Sequence, residues 1–332
     1  MKHSLKQENE QKSAKKQSAD TQKKKLDLKF LTPAFLVLTT YVLLLFSKII
    51  DLKILNRENE YYTVVILQLL IFLLPAAIWC KLRGEGYTKR LRMRLPRPSS
   101  FLLIISATLL MISGGLFLSF IFGGLDSLSK NFSLYDTFIS KNDYSVQSNI
   151  YLLLAYALLP AICEEVVYRG ILCAEYEQGG VLRSVIVSSV FFALLHFNPI
   201  NILTYLFSGA ILSLVLYATR SLFASMLTHL LYNIFGLFGQ KYMNTLYKIT
   251  GSEVFFVFII TFVLLLSAAI FCRQASKLYK KHLYEGYSSN YRKPVAETPE
   301  EIRKSFLDVI REPATILCVI FYIGVSIFYI IR

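Results

Sequence analysis

Residues 149–170 read NIYLLLAYALLPAICEEVVYRG, an apolar stretch that carries three charges near its end. About 20 predominantly apolar residues are enough for a helix to cross the hydrocarbon core of a bilayer, and this stretch reaches that length. A charged side chain inside such a helix is unfavourable by about 2.5–3.5 kcal/mol at its centre, and by default it marks a functional site. The stretch therefore predicts a membrane helix that carries a reactive position.

The rest of the chain belongs to the same structural class. Of its 332 residues, 55% are hydrophobic and 17% are charged, whereas about 25% of the residues in a soluble domain are charged. The apolar residues form nine blocks, at roughly 30–50, 61–80, 101–123, 149–168, 184–198, 201–218, 221–240, 253–272 and 314–331. The sequence thus predicts an all-α, polytopic transmembrane helical bundle of about eight to nine spans.

Lys and Arg residues are divided unevenly between the two sides of the predicted bundle. The tail before residue 30, the segments 81–97 and 273–312, and three arginines at predicted helix ends hold 28 of the 36. The positive-inside rule puts these segments, and with them the N-terminus, in the cytoplasm. In the last segment, Thr298 and Glu301 have the spacing of a capping box, which predicts an amphipathic surface helix over 298–310.

The net charge of +14 is concentrated in these cytoplasmic segments. In a membrane protein this pattern predicts contact with anionic lipid and no nucleic-acid partner, because the basic runs carry no domain that could read bases. The expected location is a cell membrane, and the Lys- and Ile-rich composition favours a bacterial plasma membrane. Four regions are predicted: a disordered basic tail (1–29), spans with an outer loop (30–148), a core (149–240) and C-terminal spans with the basic loop (241–332).

Glu164, Glu165 and Arg169 form the first group of ionisable residues inside the apolar blocks. Glu165 and Arg169 are four residues apart, so they lie on one helix face and are predicted to neutralise each other. Glu164 lies about 100° further around the helix and is predicted to face something else. These positions predict a structural pair beside a reactive carboxylate.

Two further groups follow on later helices. Phe192 is four residues before His196, which predicts that its ring stacks one turn below the imidazole. His229 and Asn233 are also four residues apart and present an imidazole and an amide on one face. A carboxylate, two imidazoles and an amide in a membrane interior are typical of a hydrolytic site.

Three kinds of chemistry are open at this point. Glu164 could act as the general base on a water molecule, while His229 and Asn233 donate hydrogen bonds to the oxyanion. Alternatively, Glu164, His196 and His229 could ligate zinc, which would activate the water itself. Cys163, next to the glutamates, offers a thiol nucleophile as a third alternative.

The motifs EEVVYR (164–169), FALLH (192–196) and HLLYN (229–233), in this order on successive apolar segments, resemble the CPBP intramembrane protease family. This family includes the CAAX prenyl endopeptidases and the Abi proteins. The resemblance covers about 160–240 and implies that the core 149–240 is a catalytic core of this type. It implies the following roles: Glu164 activates the catalytic water, His196 works beside it, His229 and Asn233 stabilise the oxyanion, and Glu165, Arg169 and Phe192 support the site.

The resemblance implies an intramembrane endopeptidase that cleaves a membrane-associated protein or peptide. A zinc-dependent mechanism and a metal-free glutamate mechanism both remain open, so zinc is the one cofactor to be tested. A non-catalytic bacteriocin-immunity or scaffold protein on the same fold is the alternative function. A transporter with a buried, proton-coupled carboxylate is a third.

Overall fold

The computed structural model describes residues 31–53, 65–84, 86–130, 146–284 and 298–331, and within these ranges the chain is helical and contains no strand. The predicted tail 1–29 lies outside the described residues, as do parts of the predicted outer loop 124–148 and of the loop 273–312. The main helices are α1 (Pro33–Lys53), α2 (Val65–Arg83), α3 (Phe101–Lys130), α4 (the consecutive segments Val146–Leu152, Leu153–Leu158, Leu159–Glu165, Val166–Leu172 and Cys173–Tyr176), α5 (Val181–Leu195), α6 (Ile202–Thr219), α7 (Leu222–Thr250), α8 (Glu253–Tyr284), α9 (Pro299–Arg311) and α10 (Pro313–Ile331).

Six of the described helices are long and apolar enough to cross a membrane, or seven if α9 and the start of α10, which are bent by 64°, count as one span. α5 has 15 residues and is shorter than a span requires. The prediction of an all-α, polytopic membrane bundle is confirmed. The count of eight to nine spans and the cytoplasmic N-terminus stay predictions.

Short polar turns join α5, α6 and α7, so these helices pack as neighbours. In the first turn, the side-chain oxygen of Asn198 accepts hydrogen bonds from the N–H groups of Ile200 and Asn201. In the second, Arg220 has a φ of 53°, and the Ser221 hydroxyl oxygen caps α7 by accepting a hydrogen bond from the Ala224 N–H at 3.1 Å. The side-chain oxygens of asparagine and serine reverse the chain here.

Two membrane helices contain a π-helical turn shortly before a proline. In α4 the turn Leu153–Leu158 precedes Pro160, and in α2 the turn Leu69–Leu73 precedes Pro75. Proline has no N–H and its ring clashes with a carbonyl of the preceding turn, which the wider π turn accommodates. The side-chain amide of Gln68 on α2 donates a hydrogen bond to the carbonyl oxygen of Ala155, within the π turn of α4, at 3.2 Å.

Outward-facing apolar side chains line the two C-terminal helices of the bundle. Phe258 and Leu265 on α8 are more than half exposed, as is Phe328 on α10. In a membrane protein, such surfaces face lipid tails rather than water.

The segment predicted as the loop 273–312 is more ordered than the sequence predicts. α8 continues to Tyr284, so the loop predicted to begin at 273 begins later, because the Lys-rich last turns suit a helix C-terminus. The helix predicted over 298–310 is present as Pro299–Arg311, with the full capping box of Thr298 and Glu301. Its Val309 is buried in the core, so one face of this helix rests on protein.

Helix α6 approaches α5 closely at Gly209. A Cβ atom at Gly209 would lie 3.0 Å from the Cα of Ser189, closer than ordinary van der Waals contact allows. Small residues permit this kind of backbone approach between membrane helices. The carbonyl oxygen of Gly209 also accepts a hydrogen bond from Arg169 at 3.2 Å, so this contact helps to fix the first charged group.

We expect Gly209→Ala to lower the stability of the protein by about 1–3 kcal/mol, because the added methyl group must push two backbones apart. Thermal unfolding in detergent micelles measures the effect. Gly236→Ala is the matched control, since a Cβ at Gly236 meets nothing within 4 Å. That control should leave stability unchanged or raise it by up to about 1 kcal/mol. Equal shifts in the two variants would contradict the predicted close approach.

Candidate active site

Glu165 is the best-satisfied charge of the bundle interior. Its side chain is fully buried, and its Oε1 lies 2.8 Å from Nη1 of Arg169 and 3.0 Å from Nδ1 of His229. Its Oε2 accepts a hydrogen bond from the Ser225 hydroxyl at 2.6 Å. The predicted contact between Glu165 and Arg169 is therefore present, and α4 and α7 are joined through one carboxylate.

Arg169 extends this network to two more helices. Its Nη2 donates to the carbonyl oxygen of Gly209 on α6, and its guanidinium carbon lies 4.2 Å from the centre of the Phe192 ring on α5. A cation over an aromatic face gains about 0.5–2 kcal/mol, more where water is absent. The buried charge thus faces a carboxylate, a carbonyl dipole and a ring.

Glu164 has different surroundings from its neighbour. Its side chain is only partly buried, and it makes no hydrogen bond or ion pair with the described residues. It lies close enough to His229, Glu165 and Arg169 to interact with them electrostatically. Neighbouring residues of a helix point about 100° apart, so the Glu165 carboxylate meets its hydrogen-bond donors while the Glu164 carboxylate points elsewhere.

His229 contacts Glu165, for which the sequence predicted Arg169 as the partner. Its Nδ1 is 3.0 Å from Oε1 of Glu165, and because an ionised carboxylate can only accept, Nδ1 carries the hydrogen. The prediction that Glu165 and Arg169 simply neutralise each other is therefore incomplete. A buried carboxylate has several lone pairs to satisfy, and a single arginine leaves some of them without donors. The second ring nitrogen, Nε2, is left for other chemistry.

Phe192 contacts both histidines. Its ring centre is 4.9 Å from that of His196 and 5.8 Å from that of His229, edge to face in both cases. The prediction that Phe192 stacks on His196 is wrong in its geometry, because Tyr205 occupies the stacked position at 3.8 Å and 15°. The Nδ1–H of His196 donates instead to the backbone carbonyl of Phe192 at 2.9 Å. All three motifs thus meet around one phenylalanine.

Asn233 is one turn beyond His229 on α7. Its Nδ2 donates to the carbonyl oxygen of Ala157 at 3.4 Å, within the π turn before Pro160. This contact is a long hydrogen bond that ties α7 to α4. Since Nδ2 carries two hydrogens, one remains for a second acceptor.

Sequence reasoning missed three side chains that the fold brings to the site. Ser225 could have been found, because it is four residues before His229 and shares its helix face. Tyr205 and Gln68 have no such signal, since their partners lie on other helices. Their roles depend on packing between elements.

A zinc site requires at least three protein ligands that converge on one point. Among the described residues, no three His, Cys, Asp or Glu side chains come together in a way that could hold a metal ion. The Nδ1 hydrogen bonds of the two histidines do not argue against a metal, because histidines that ligate a metal make similar bonds with their other ring nitrogen. The predicted ligand set of Glu164, His196 and His229 does not fit zinc in this arrangement.

Comparison with known proteins locates a family domain in the same region. The family model of the type II CAAX prenyl endopeptidase Rce1-like proteins matches residues 146–235, from the start of α4 into α7. No curated protein and no solved structure gives a significant match to the chain. The matched region contains all seven predicted site residues and agrees with the CPBP resemblance. Residues 146–235 of this multi-pass membrane protein therefore form a type II CAAX prenyl endopeptidase Rce1-like domain.

Proposed function

We propose that this protein is an intramembrane endopeptidase that hydrolyses a peptide bond of a membrane-associated protein or peptide, with Glu164 as the general base. One observation carries the proposal. Of two neighbouring carboxylates in the membrane interior, Glu165 is held by three donors, while Glu164 is partly exposed beside His229. An unbonded carboxylate in such a site is able to accept a proton from water.

In the proposed reaction, the water oxygen attacks the peptide carbonyl carbon while Glu164 takes one proton from the water. The carbonyl oxygen becomes an oxyanion, and Nε2 of His229 and the second Nδ2 hydrogen of Asn233 donate to it. When the C–N bond breaks, Glu164 returns its proton to the leaving nitrogen. Glu165 orients the His229 ring through Nδ1. A protonated ring would balance the two carboxylates and one guanidinium of α4.

His196 and Phe192 complete the proposed site. The bond from His196 Nδ1 to the Phe192 carbonyl and the stacked Tyr205 ring fix the His196 imidazole. In the proposed site this imidazole lies beside the attacking water. Phe192 contacts both imidazoles and covers Arg169.

The substrate class is tested with two internally quenched peptides and the purified chain in proteoliposomes. One peptide ends in a CAAX sequence with a farnesylated cysteine, and the other is identical but unprenylated. We expect release of the C-terminal tripeptide from the first, identified by mass spectrometry, as the Rce1-like match suggests. A failure to cleave the prenylated peptide would contradict a CAAX substrate, and comparison of peptide termini in cells with and without active Glu164 would then identify another.

Zinc assistance makes a separate prediction. Because the described donor set does not assemble three ligands, we expect the activity to survive prolonged dialysis against EDTA and 1,10-phenanthroline. Metal analysis of the same sample provides the readout that does not depend on activity. About one zinc per chain, with activity lost on chelation and restored by zinc, would establish the zinc mechanism instead.

We also propose that the protein lies in the plasma membrane with its basic segments on the cytoplasmic side, against anionic lipid. Lys89, Arg94 and Arg97 are exposed in the segment between α2 and α3, next to Leu95, which is 80% exposed. Exposed basic and apolar side chains together favour a surface that meets anionic headgroups. Mass spectrometry of lipids that co-purify with the parent and with an Arg94→Ala/Arg97→Ala variant tests this contact, which a lipid content unchanged in the variant would contradict.

A further inference from the structure

His196 stands at the very end of α5, where the helix alone does not hold it. It directly follows the last helical residue, and Phe197 comes next with a φ of 48°. Glycine or asparagine is usual at this position after a helix, because both adopt the left-handed conformation at little cost. For a bulky side chain that conformation is an outlier, so a phenylalanine here requires compensating contacts.

The Phe197 side chain makes those contacts with two helices at the edge of the bundle. It is 4% exposed, and its ring meets Tyr41 of α1 edge to face at 5.4 Å between centres. On α10, the ring of Tyr322 lies nearly parallel to it at 6.4 Å. Aromatic pairs at these separations stabilise a structure beyond the burial of their surface. α1 and α10 thus hold the chain immediately after His196.

Tyr41 also contacts the chain before His196. Its side chain is fully buried, and its hydroxyl donates a hydrogen bond to the carbonyl oxygen of Phe191. The carbonyl oxygen of the next residue, Phe192, is the one that accepts from Nδ1 of His196. One tyrosine therefore holds α5 on both sides of the histidine, next to the peptide that fixes the imidazole.

Both tyrosines lie outside the region 146–235 that matches the family model. α10 packs against α1 and against α5, so the three helices form one contact region. Part of the support of His196 therefore comes from helices that the matched domain does not include.

We propose that Tyr41 is a positioning residue for the endopeptidase reaction, which holds His196 in place through the C-terminal end of α5; this inference rests on the proposed function. Tyr41 does not touch the reacting groups. It fixes the end of the helix, and the Nδ1 bond and the stacked Tyr205 ring then fix the imidazole. Tyr41 also interacts with Tyr168, one turn beyond Glu164 on α4, so an effect through α4 is the alternative to be separated.

Tyr41→Phe tests the inference, because it removes the bond to Phe191 and keeps the ring against Phe197. We expect kcat on the cleaved peptide to fall about 10-fold with KM unchanged, since a misplacement of about 1 Å costs about 100-fold and the ring contacts still limit the movement. A kcat equal to that of the parent would overturn the inference.

Tyr217→Phe is the matched control at the opposite end of α5. Tyr217 on α6 is 7% exposed, and its hydroxyl lies 2.7 Å from the Ser184 hydroxyl oxygen in the first turn of α5. Each variant removes one buried hydroxyl bond, so both should lose thermal stability to a similar extent. Tyr217→Phe should nevertheless keep the parent kcat, and an equal loss of kcat in both variants would contradict a specific role of Tyr41.

NMR of the protein labelled with nitrogen-15 at histidine tests the link without an activity measurement. The chain has four histidines, and His196→Gln assigns the His196 ring signals by their disappearance. We expect Tyr41→Phe to shift or broaden these signals more than those of His229, and Tyr217→Phe to leave both unchanged. Unchanged His196 signals in Tyr41→Phe would overturn the inference, whatever happens to cleavage.

The double variant Tyr41→Phe/His196→Gln separates the two routes of action. If Tyr41 acts through His196, Tyr41→Phe should reduce the residual rate no further in the His196→Gln background. A further loss of about 10-fold there would show that Tyr41 acts through α4, and would overturn the inference alone. A parent protein that cleaves no peptide, with His196 signals that still respond to Tyr41→Phe, would contradict the proposed function and support the link from Tyr41 to His196.

Discussion

Glu164→Gln is expected to reduce peptide cleavage by about 100- to 10,000-fold, the range that general-base catalysis contributes. Glutamine has nearly the shape of glutamate, but its amide does not accept the proton of the attacking water. Because Glu164 makes no hydrogen bond or ion pair within the described part of the chain, the variant should fold normally. Initial rates on the quenched peptide in proteoliposomes, with thermal unfolding of the same sample, measure both effects.

The outcome of this experiment also decides between the functional classes. Cleavage at the parent rate by a folded Glu164→Gln protein would contradict the endopeptidase mechanism. Protection of cells that persists in this variant without any cleavage would favour the non-catalytic immunity or scaffold alternative. Uptake or proton flux that depends on Glu164, with no cleaved product, would instead indicate a transporter.

Arg169→Met is expected to destabilise the protein by about 3–5 kcal/mol, because it leaves the fully buried Glu165 carboxylate without its guanidinium. Glu165→Gln should also destabilise, since the Ser225 and His229 bonds weaken together with the Arg169 bond. The double variant should lose less than the sum of the two single losses, because it leaves neither charge unpaired. Unfolding curves of the four proteins in one detergent give this coupling free energy.

Lys304→Met is the control for the effect of burial on an ion pair. Lys304 and Glu300 form a pair with the same spacing of four residues, but both side chains are about two-thirds exposed on α9. An exposed pair contributes little to stability, so this variant should unfold with the parent. Additive losses in the Glu165/Arg169 cycle would show that the two charges do not depend on each other, contrary to their contact at 2.8 Å.

Substitution of the two glutamates should affect activity and stability differently. Glu164→Gln should remove activity from a stable protein, whereas Glu165→Gln should lose activity along with stability and the orientation of His229. Comparing rates per folded molecule separates these effects. The effects differ because the Glu164 and Glu165 side chains have different surroundings.

Local sequence determined the fold class and the contacts within single helices. Blocks of about 20 apolar residues can satisfy their backbone only as helices in lipid, so the fold class follows from composition and length. The spacing of four residues fixes which side chains share a helix face, which is why the Glu165–Arg169 contact and the capping box of Thr298 and Glu301 were both predictable. These features depend only on neighbours along one helix.

Tertiary structure decided which helix faces meet. The bond from His229 to Glu165, the stacking of Tyr205 on His196 and the donation from Gln68 to α4 each join different helices. Helical periodicity gives the direction of a side chain about its own axis, but the rotation and depth of the facing helix come from side-chain packing. Here the close approach at Gly209 and the π turn before Pro160 contribute to that packing. The sequence thus supplied the reactive groups, and helix packing decided that one glutamate is held by three partners while its neighbour is not.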